Sequence, residues 1–180
     1  IFTDTGQDAV QFALVLGVSS GFGEAIARRL ATDGYDIAGV HLDRRSTLPN
    51  AERLATELGH LGRRALFFNV NAADPVKRAE VLDALSRTLE PRREGAIRVL
   101  VHSLAFGALK PLTGPDAVTA AQLGTTFDVM AHSLVHWTQD LVARGMLADG
   151  GRVFALTSSG SHRVIPSYGP VGAAKAALES

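Results

Sequence analysis

The sequence has no cysteine, few aromatic residues and no excess of either charge. Without cysteine, neither a disulfide framework nor a thiolate metal site can form. The 18 basic residues balance 18 acidic ones, which leaves no basic excess of the kind that nucleic-acid binding uses. Apolar stretches fall well short of the roughly 20 residues that a membrane helix needs, and no signal-peptide pattern opens the sequence. These absences predict a cytoplasmic protein with neither nucleic acid nor membrane as a partner.

The remaining composition is that of a globular protein. Hydrophobic residues make up 46% and charged residues 20% of the 180 residues, enough apolar material for one domain with a sizeable core. The sequence does not begin with Met, and residues 175–180 favour helix with no stop signal. We therefore expect a single domain over residues 1–180 that is truncated at its carboxyl end.

Short apolar runs alternate with amphipathic helical stretches along the chain. Strands are predicted at residues 12–16, 36–42, 65–70, 98–101 and 153–157. A long helix is predicted over about 118–144, and a last helix begins at Gly169-Pro170. Strands separated by helices form parallel sheets through right-handed crossovers. The pattern predicts an α/β fold, a doubly wound parallel sheet with helices on both faces.

A glycine-rich segment, Gly17-Val-Ser-Ser-Gly21-Phe-Gly23, joins the first predicted strand to the first helix. Ligand phosphates bind at this place in open α/β sheets. Glycine permits a close backbone approach, and a helix N-terminus offers unpaired N–H groups and partial positive charge. Ser19 and Ser20 add hydroxyl donors. The segment predicts a phosphate-binding loop, with an ordinary glycine turn as the alternative.

The same segment contains a second motif. Residues 17–21 match G-x-S-x-G, the nucleophile elbow of serine hydrolases, with Ser19 as the nucleophile. An elbow on the first strand leaves few strands before it to build a hydrolase sheet, and no His-Gly-Gly-Gly stretch is present. A serine hydrolase is therefore the distant alternative.

Three side chains near the carboxyl end suggest acid–base chemistry. Tyr168 and Lys175 are seven residues apart, nearly two helical turns, so both would share one face of a helix that included Tyr168. Because Pro170 favours the first helical position, Tyr168 is expected just before the helix. A nearby ammonium favours the ionised form of a phenol and makes it a better acid–base partner. Ser158 follows the fifth predicted strand, on the side of the sheet where ligands bind. Each alone would be taken as structural; together, after a glycine loop, they predict a catalytic trio.

With these motifs the sequence resembles the short-chain dehydrogenases/reductases over essentially its whole length. The usual Tyr-x-x-x-Lys of that family would require a tyrosine where Val171 stands. The Tyr-x6-Lys present here is the hallmark of the enoyl-acyl carrier protein reductase branch. Three further segments resemble that branch; they are Val101-His-Ser-Leu-Ala-Phe106, Arg163-Val-Ile-Pro-Ser-Tyr168 and Ala173-Ala-Lys-Ala-Ala-Leu-Glu179. The glycine loop is the GxxxGxG of the wider family.

The resemblance implies a Rossmann-like fold and an NAD(P)H-dependent reductase of enoyl thioesters in fatty-acid synthesis, assembled as a homodimer or homotetramer. Tyr168 would donate to the thioester oxygen as hydride reaches the β-carbon, and Lys175 would hold the nicotinamide ribose. Ser158 occupies the family's serine position. Met130 stands where the wider family keeps an asparagine for a proton relay. The missing asparagine counts against a ketone reductase more than against an enoyl reductase, and it keeps a non-catalytic dinucleotide-binding sensor open as an alternative. A ketone or alcohol dehydrogenase is the other alternative enzyme.

The resemblance also assigns residues to the dinucleotide. They are Gly17, Ser19, Ser20, Gly21, Phe22, Gly23, His41, Arg44, Asn69, Val70, Ser103, Leu104, Ala105 and Lys175. His41 occupies the position that discriminates between the two dinucleotides. Asp43 would suit the ribose hydroxyls of NAD, whereas the Arg44 guanidinium suits a 2′-phosphate. NADP(H) is favoured over NAD(H).

A histidine pair on the long predicted helix suggests zinc. His132 and His136 are four residues apart, with Asp128 and Asp140 in the same register. Because the sequence shows no third ligand, we expect no metal and a packed or interface helix, with Trp137 as an anchor between subunits.

Overall fold

The computed structural model describes residues 11–89 and 95–180, and a five-stranded parallel sheet lies at its centre. The strands are β1 (Phe12–Leu16), β2 (Asp36–His41), β3 (Ala65–Asn69), β4 (Ile97–His102) and β5 (Leu147–Ala155). Their order is β3-β2-β1-β4-β5, and every neighbouring pair is parallel. The predicted doubly wound parallel sheet is confirmed. The order reverses between β1 and β4, the place where ligands bind in such sheets.

Helices cover both faces of the sheet. They are α1 (Gly21–Thr32), α2 (Leu48–His60), α3 (Pro75–Leu89), α4 (Ala120–Phe127), α5 (Ser133–Ala143) and α6 (Gly169–Glu179). Alternate residues of β1 face opposite cores, so the whole strand is apolar. Phe12, Leu14 and Leu16 join the core built with α3 and α5, whereas Ala13 and Val15 join the core built with α1 and α2. No helix in the described ranges is long and apolar enough to span a membrane.

The predicted long helix is continuous but not uniform. Residues Asp128–His132 form a π-helical turn between α4 and α5. Such single turns add one residue to the helical repeat and often lie at functional sites. Trp137 of α5 is fully buried, and its indole N–H donates to the Ala72 carbonyl over 2.9 Å. Its prediction as an anchor between subunits was wrong, because this side chain fills the core under the sheet.

The fifth strand begins earlier than predicted. The sequence pattern placed it after Gly150-Gly151, but β5 runs from Leu147 through both glycines. Its pairing with β4 shifts register between Ile97 and Val99. Gly150 has a φ of +66°, which a glycine adopts without strain and which allows the extra residues to bulge out. Gly150-Gly151, which the sequence suggested as a turn, is therefore part of a bulge inside β5.

Candidate active site

The glycine loop connects β1 to α1, and each of its three glycines has a separate steric reason to be there. Gly17 has a φ of +89°, and a Cβ on it would lie 2.5 Å from the Ser103 carbonyl oxygen. Gly21 has a φ of +57°. A Cβ on Gly23 would overlap the Gly17 carbonyl oxygen. The loop is therefore folded tightly onto itself, and only glycine fits these positions.

The first turn of α1 faces this loop. Its N-cap residue, Ser20, has extended backbone angles and makes no side-chain capping hydrogen bond. The N–H groups of the first turn thus have no side-chain cap, and they carry the partial positive charge of the helix terminus. Ser20 and Gly21 are exposed, and so is Phe22, whose exposure is 77%. The loop and helix fit the pyrophosphate of a dinucleotide.

The end of β4 lies directly against the glycine loop. The Ser103 N–H donates to the Leu16 carbonyl over 2.8 Å. The Leu104 side chain lies close to Gly17, because a Cβ on Gly17 would be 3.4 Å from Leu104 Cδ2. Ala105 is exposed just beyond. The structure therefore brings the predicted cofactor residues after β4 next to those after β1.

Ser158 and Tyr168 meet beyond the end of β5. The Tyr168 hydroxyl donates to Ser158 Oγ over 3.1 Å, and the Gly160 N–H donates to the same oxygen over 3.2 Å. Because Ser158 Oγ accepts both bonds, its own hydrogen remains available to a further acceptor. Both side chains are half-buried. The two hydroxyls form one polar point at the carboxyl edge of the sheet.

Lys175 lies behind this point and is 4% exposed. Its Nζ donates to the Leu156 carbonyl over 2.7 Å and to the Leu104 carbonyl over 3.2 Å. An ammonium has three hydrogens, so one is left for a ligand hydroxyl. Burial lowers the pKa of Lys175. Because Leu104 also borders Gly17 and Leu156 lies two residues before Ser158, this lysine joins the end of β5 to the residues beside the glycine loop.

The orientation of Tyr168 depends on residues that sequence reasoning missed. Tyr168 is the N-cap of α6, as its place before Pro170 predicted. Ser167 before it has a φ of +59° and is the one non-glycine residue with positive φ in the described ranges. A Cβ on Gly160 would overlap the Tyr168 ring, and one on Gly172 would lie 2.5 Å from the Gly160 carbonyl oxygen. Gly160 thus lets the ring pack against the turn that follows Ser158, and Gly172 lets α6 approach the same turn.

An apolar cluster occupies the positions where the wider family has its tyrosine and asparagine. Val171 and Met130 are each 3% exposed and pack together in one buried cluster. A Cβ on Gly107 would come within 3.0 Å of both side chains. No hydroxyl or amide is available at these two positions, so Tyr168 holds the only phenol at this edge in the described part of the chain.

Polar residues after β2 and β3 form the adenosine end of the predicted site. Asp43 is bonded to His41, whose Nδ1 lies 2.8 Å from its carboxylate. Asn69 bonds both the N–H and the carbonyl of Asp43, and the Val70 N–H donates to the His41 carbonyl. Burial opposes the charge of Asp43, but hydrogen bonds from Thr47, Ser19 and His41 together hold its pKa below the usual value. The arginines at 44 and 45 remain exposed.

The hydrolase motif does not produce a hydrolase site. Ser19 is 8% exposed, and its hydroxyl is bonded to Asp43. The carboxylate stands between the serine and His41, whereas a catalytic triad needs the imidazole between them. Ser19 therefore shapes the loop.

The histidine pair on the long helix is also explained by local contacts. His132 pairs with Asp128 over 2.9 Å, and Asp140 is bonded to Arg78 over 2.6 Å. Within residues 11–89 and 95–180, no three His, Asp or Glu side chains are grouped to hold a metal ion.

The comparisons with known proteins match this geometry. A family model described as Enoyl-(Acyl carrier protein) reductase matches residues 17–180, from the glycine loop through α6. The chain belongs to the short-chain dehydrogenase/reductase family. This short-chain dehydrogenase/reductase is 30% identical to the "NADPH-dependent aldehyde reductase-like protein, chloroplastic" of Arabidopsis thaliana, over 96% of the chain and 64% of the relative.

A second relative comes from the enoyl reductases. It is the "Enoyl-[acyl-carrier-protein] reductase [NADH] FabI" of a Nostoc strain, 30% identical over 93% of the chain and 63% of the relative. Among solved structures, a short-chain dehydrogenase from Burkholderia cenocepacia in complex with NADP is 29% identical, with a TM-score of 0.77 over 93% of this chain and 64% of that one. The chain thus spans under two thirds of the length of these relatives.

Proposed function

We propose that this short-chain dehydrogenase/reductase uses a nicotinamide dinucleotide to reduce the double bond of an enoyl thioester. One observation carries the proposal. The Tyr168 and Ser158 hydroxyls are bonded to each other beyond the end of β5, and Lys175 is bonded both to Leu156, two residues before Ser158, and to Leu104 beside the glycine loop. This arrangement suits hydride transfer to a substrate whose carbonyl oxygen becomes negatively charged, because the hydroxyls can donate hydrogen bonds to that oxygen.

Each side chain has a separate task in this reaction. The bound dinucleotide supplies hydride. The loop and the first turn of α1 hold its pyrophosphate, and the free hydrogen on Lys175 Nζ holds its ribose. Tyr168 donates to the thioester oxygen, where negative charge develops as the β-carbon is reduced. In the structure the Tyr168 hydrogen is donated to Ser158 Oγ, so on substrate binding it would turn to the thioester oxygen. Ser158 would then donate its own hydrogen to the Tyr168 oxygen and hold that hydroxyl in place.

The choice of an enoyl thioester rests on the spacing and on the apolar surroundings. Tyr168 stands seven residues before Lys175, and the position of the wider family's tyrosine is filled by buried Val171. Large apolar side chains are exposed on the two loops that border Tyr168; they are Phe106, Leu109, Leu112, Val164 and Ile165. They fit the alkyl part of an acyl substrate.

Reduction of a ketone or aldehyde is the second candidate. The Tyr168 and Ser158 hydroxyl oxygens are 3.1 Å apart, so both could donate to one carbonyl oxygen once the Tyr168 hydrogen turns from Ser158 Oγ to that oxygen. The Arabidopsis relative is named as aldehyde reductase-like, and the Nostoc relative as an enoyl reductase. The two candidates use the same residues and differ in the carbon that receives hydride.

For the dinucleotide, we propose NADP(H). The Asp43 carboxylate is occupied by His41, Ser19 and Thr47, whereas Arg44 next to it is exposed. An exposed guanidinium suits a 2′-phosphate. We further propose a cytoplasmic homo-oligomer; Val135 and Val142 are exposed one heptad apart on α5 and offer an apolar contact.

Turnover measurements with two substrates test the proposal. NADPH oxidation is followed with a crotonyl thioester and with small ketones, and the wild type is expected to prefer the thioester. Tyr168→Phe is expected to lower kcat by about 100-fold or more, because it removes the donor to the developing oxyanion. Tyr35→Phe changes the chain's other tyrosine, at the opposite edge of the sheet, and should keep the wild-type kcat.

Three results would contradict the proposal. Turnover of ketones alone would favour the second candidate. Tight NADPH binding without turnover of either substrate would indicate a non-catalytic dinucleotide sensor. A wild-type kcat in Tyr168→Phe would remove the phenol from the mechanism.

A further inference from the structure

One carboxylate near the end of α6 gathers three side chains from the segment that follows β5. The Thr157 hydroxyl donates to Glu179 Oε1, and the Ser161 hydroxyl lies 2.7 Å from the same oxygen. His162 Nε2 lies 3.0 Å from Glu179 Oε2. These contacts join residues separated by 17 to 22 positions. Glu179 thus holds this segment at several points, although the carboxylate itself reaches the surface.

The residues that Glu179 contacts lie on both sides of Ser158 in the chain. Thr157 immediately precedes it, and Ser161 follows it across a short 3-10 turn, Ser159–Ser161. Ser161 Oγ also lies 2.7 Å from the Ser158 carbonyl oxygen, so its one hydrogen is shared between that carbonyl and Glu179. The backbone on each side of Ser158 is therefore tied, directly or through one hydroxyl, to the same carboxylate.

The helix that carries Glu179 also carries the rest of the polar site. Tyr168 is the N-cap of α6, and Lys175 lies one turn before Glu179. Ser158 alone of these groups lies outside that helix. Its turn is held to α6 at one end by the packing of Gly160 against Tyr168 and Gly172. The Glu179 contacts supply the second attachment, near the other end of the helix.

We propose that Glu179 is a positioning residue for the reaction, which fixes Ser158 Oγ relative to the Tyr168 hydroxyl. This inference rests on the proposed function. Glu179 would affect the reaction through Ser158, without itself contacting the substrate. The Lys175 bond to the Leu156 carbonyl holds the chain just before this segment, and the glycine packing holds Gly160. The Glu179 contacts hold Thr157 and Ser161, which lie on either side of Ser158. Hydrogen bonds from Thr157 and Ser161 hold the pKa of Glu179 below its usual value, so the carboxylate accepts both hydroxyls at neutral pH.

The first test compares Glu179→Ala with Glu179→Gln in the full chain. Alanine removes every contact and is expected to lower kcat about 10-fold, because small misplacements of reacting groups are costly. The KM for NADPH should be unchanged. Glutamine keeps an oxygen that accepts the Thr157 and Ser161 hydroxyls and should stay within about 3-fold of the wild type. Glu80→Ala, which removes an exposed carboxylate paired with Lys77, is the matched control.

A double-mutant cycle shows whether Glu179 acts through Ser158. In a Ser158→Ala background, Glu179→Ala should change kcat by less than about 2-fold, because the group it positions is gone. A full 10-fold loss in that background would overturn the proposal. So would a wild-type kcat in Glu179→Ala, or a loss of kcat matched by an equal rise in KM for NADPH that glutamine does not rescue.

Hydrogen exchange separates this proposal from the proposed reaction. The Gly160 N–H donates to Ser158 Oγ, and the Ser161 N–H donates to the Ser158 carbonyl. In Glu179→Ala these amides should exchange at least about 10-fold faster, with no change in β1 or β4, and Glu179→Gln should restore their protection. Unchanged exchange would overturn the positioning role even in an enzyme that turns over neither substrate, whereas turnover alone decides the reaction.

Discussion

At the scale of single residues, the end of β2 holds two groups with opposite preferences for the dinucleotide. Asp43 is a carboxylate with its side chain 10% exposed, and Arg44 follows it at the surface. A free carboxylate at this place repels a 2′-phosphate, and a free guanidinium binds one. The hydrogen bonds from His41, Ser19 and Thr47 occupy the carboxylate and leave the arginine as the available group.

We therefore expect Arg44→Ala to raise the KM for NADPH about 10-fold and to leave the KM for NADH nearly unchanged, since only NADPH carries the 2′-phosphate. Steady-state kinetics with both dinucleotides measures the ratio of the KM for NADPH to the KM for NADH. Arg45→Ala, a change to the neighbouring exposed arginine, is the control and should have the smaller effect. An equal effect of Arg44→Ala on both dinucleotides would show that Arg44 does not contact the phosphate.

At the scale of elements, the α4–α5 region begins with a capping box that is visible in the sequence and contains a π-helical turn that is not. Thr119 and Gln122 form a capping box at the start of α4, each side chain bonding the backbone N–H of the other. Further on, the π-helical turn places Ser133 against His102 of β4, with 2.8 Å between Ser133 Oγ and His102 Nε2. The turn thus adjusts α5 to a buried polar partner on the sheet.

Loss of the cap is expected to destabilise the protein measurably. Thr119→Ala removes the acceptor for the Gln122 N–H and should lower the free energy of unfolding by about 1 kcal/mol. Urea denaturation checks the change. Thr125→Ala alters an exposed threonine of the same helix whose hydroxyl bonds only the preceding turn, and it should change the free energy by less than about 0.5 kcal/mol. Equal effects of the two changes would contradict a capping role.

At the scale of the whole molecule, the fold buries a histidine beneath the candidate active site. His102 is fully buried at the end of β4, and its Nδ1 has no partner in the described part of the chain. Burial is the main cause that lowers its pKa to about 4, and the nearby charge of Lys175 contributes to the same decrease. The folded protein therefore keeps this imidazole neutral at pH values where the unfolded chain binds a proton.

This difference predicts how stability depends on pH. As the pH falls, the unfolded chain binds a proton at His102 before the folded protein does. The stabilisation that comes from keeping His102 neutral is therefore complete above pH 6.5 and is lost as the pH falls toward about 4. The free energy of unfolding should fall by about 2 kcal/mol between pH 7 and pH 5 through this residue. Denaturation of the wild type and of His102→Gln at both pH values measures it. An identical pH dependence in the two proteins would show that His102 is not the group responsible.

The sequence predicted the parts of the site whose signals are local. The glycine spacing of residues 17–23 and the Tyr-x6-Lys spacing both depend on one turn or one helix, so the residues themselves reveal them. The predictions that were wrong depended on distant neighbours. Trp137 has an ordinary helical position in sequence, and only its contact with Ala72 makes it a core residue. Gly150-Gly151 has the composition of a turn, and only pairing with β4 makes it a bulge.

The sequence by itself determined the alternation of strands and helices, the glycine loop between β1 and α1 and the phenol–lysine spacing, because backbone sterics and helical periodicity act over a few residues. Only the tertiary structure decided that Ser19 bonds Asp43, that Lys175 joins Leu104 to Leu156, and that Glu179 holds the turn around Ser158. These contacts connect residues far apart in the chain. They form because parallel strands place their carboxyl ends side by side at one edge of the sheet.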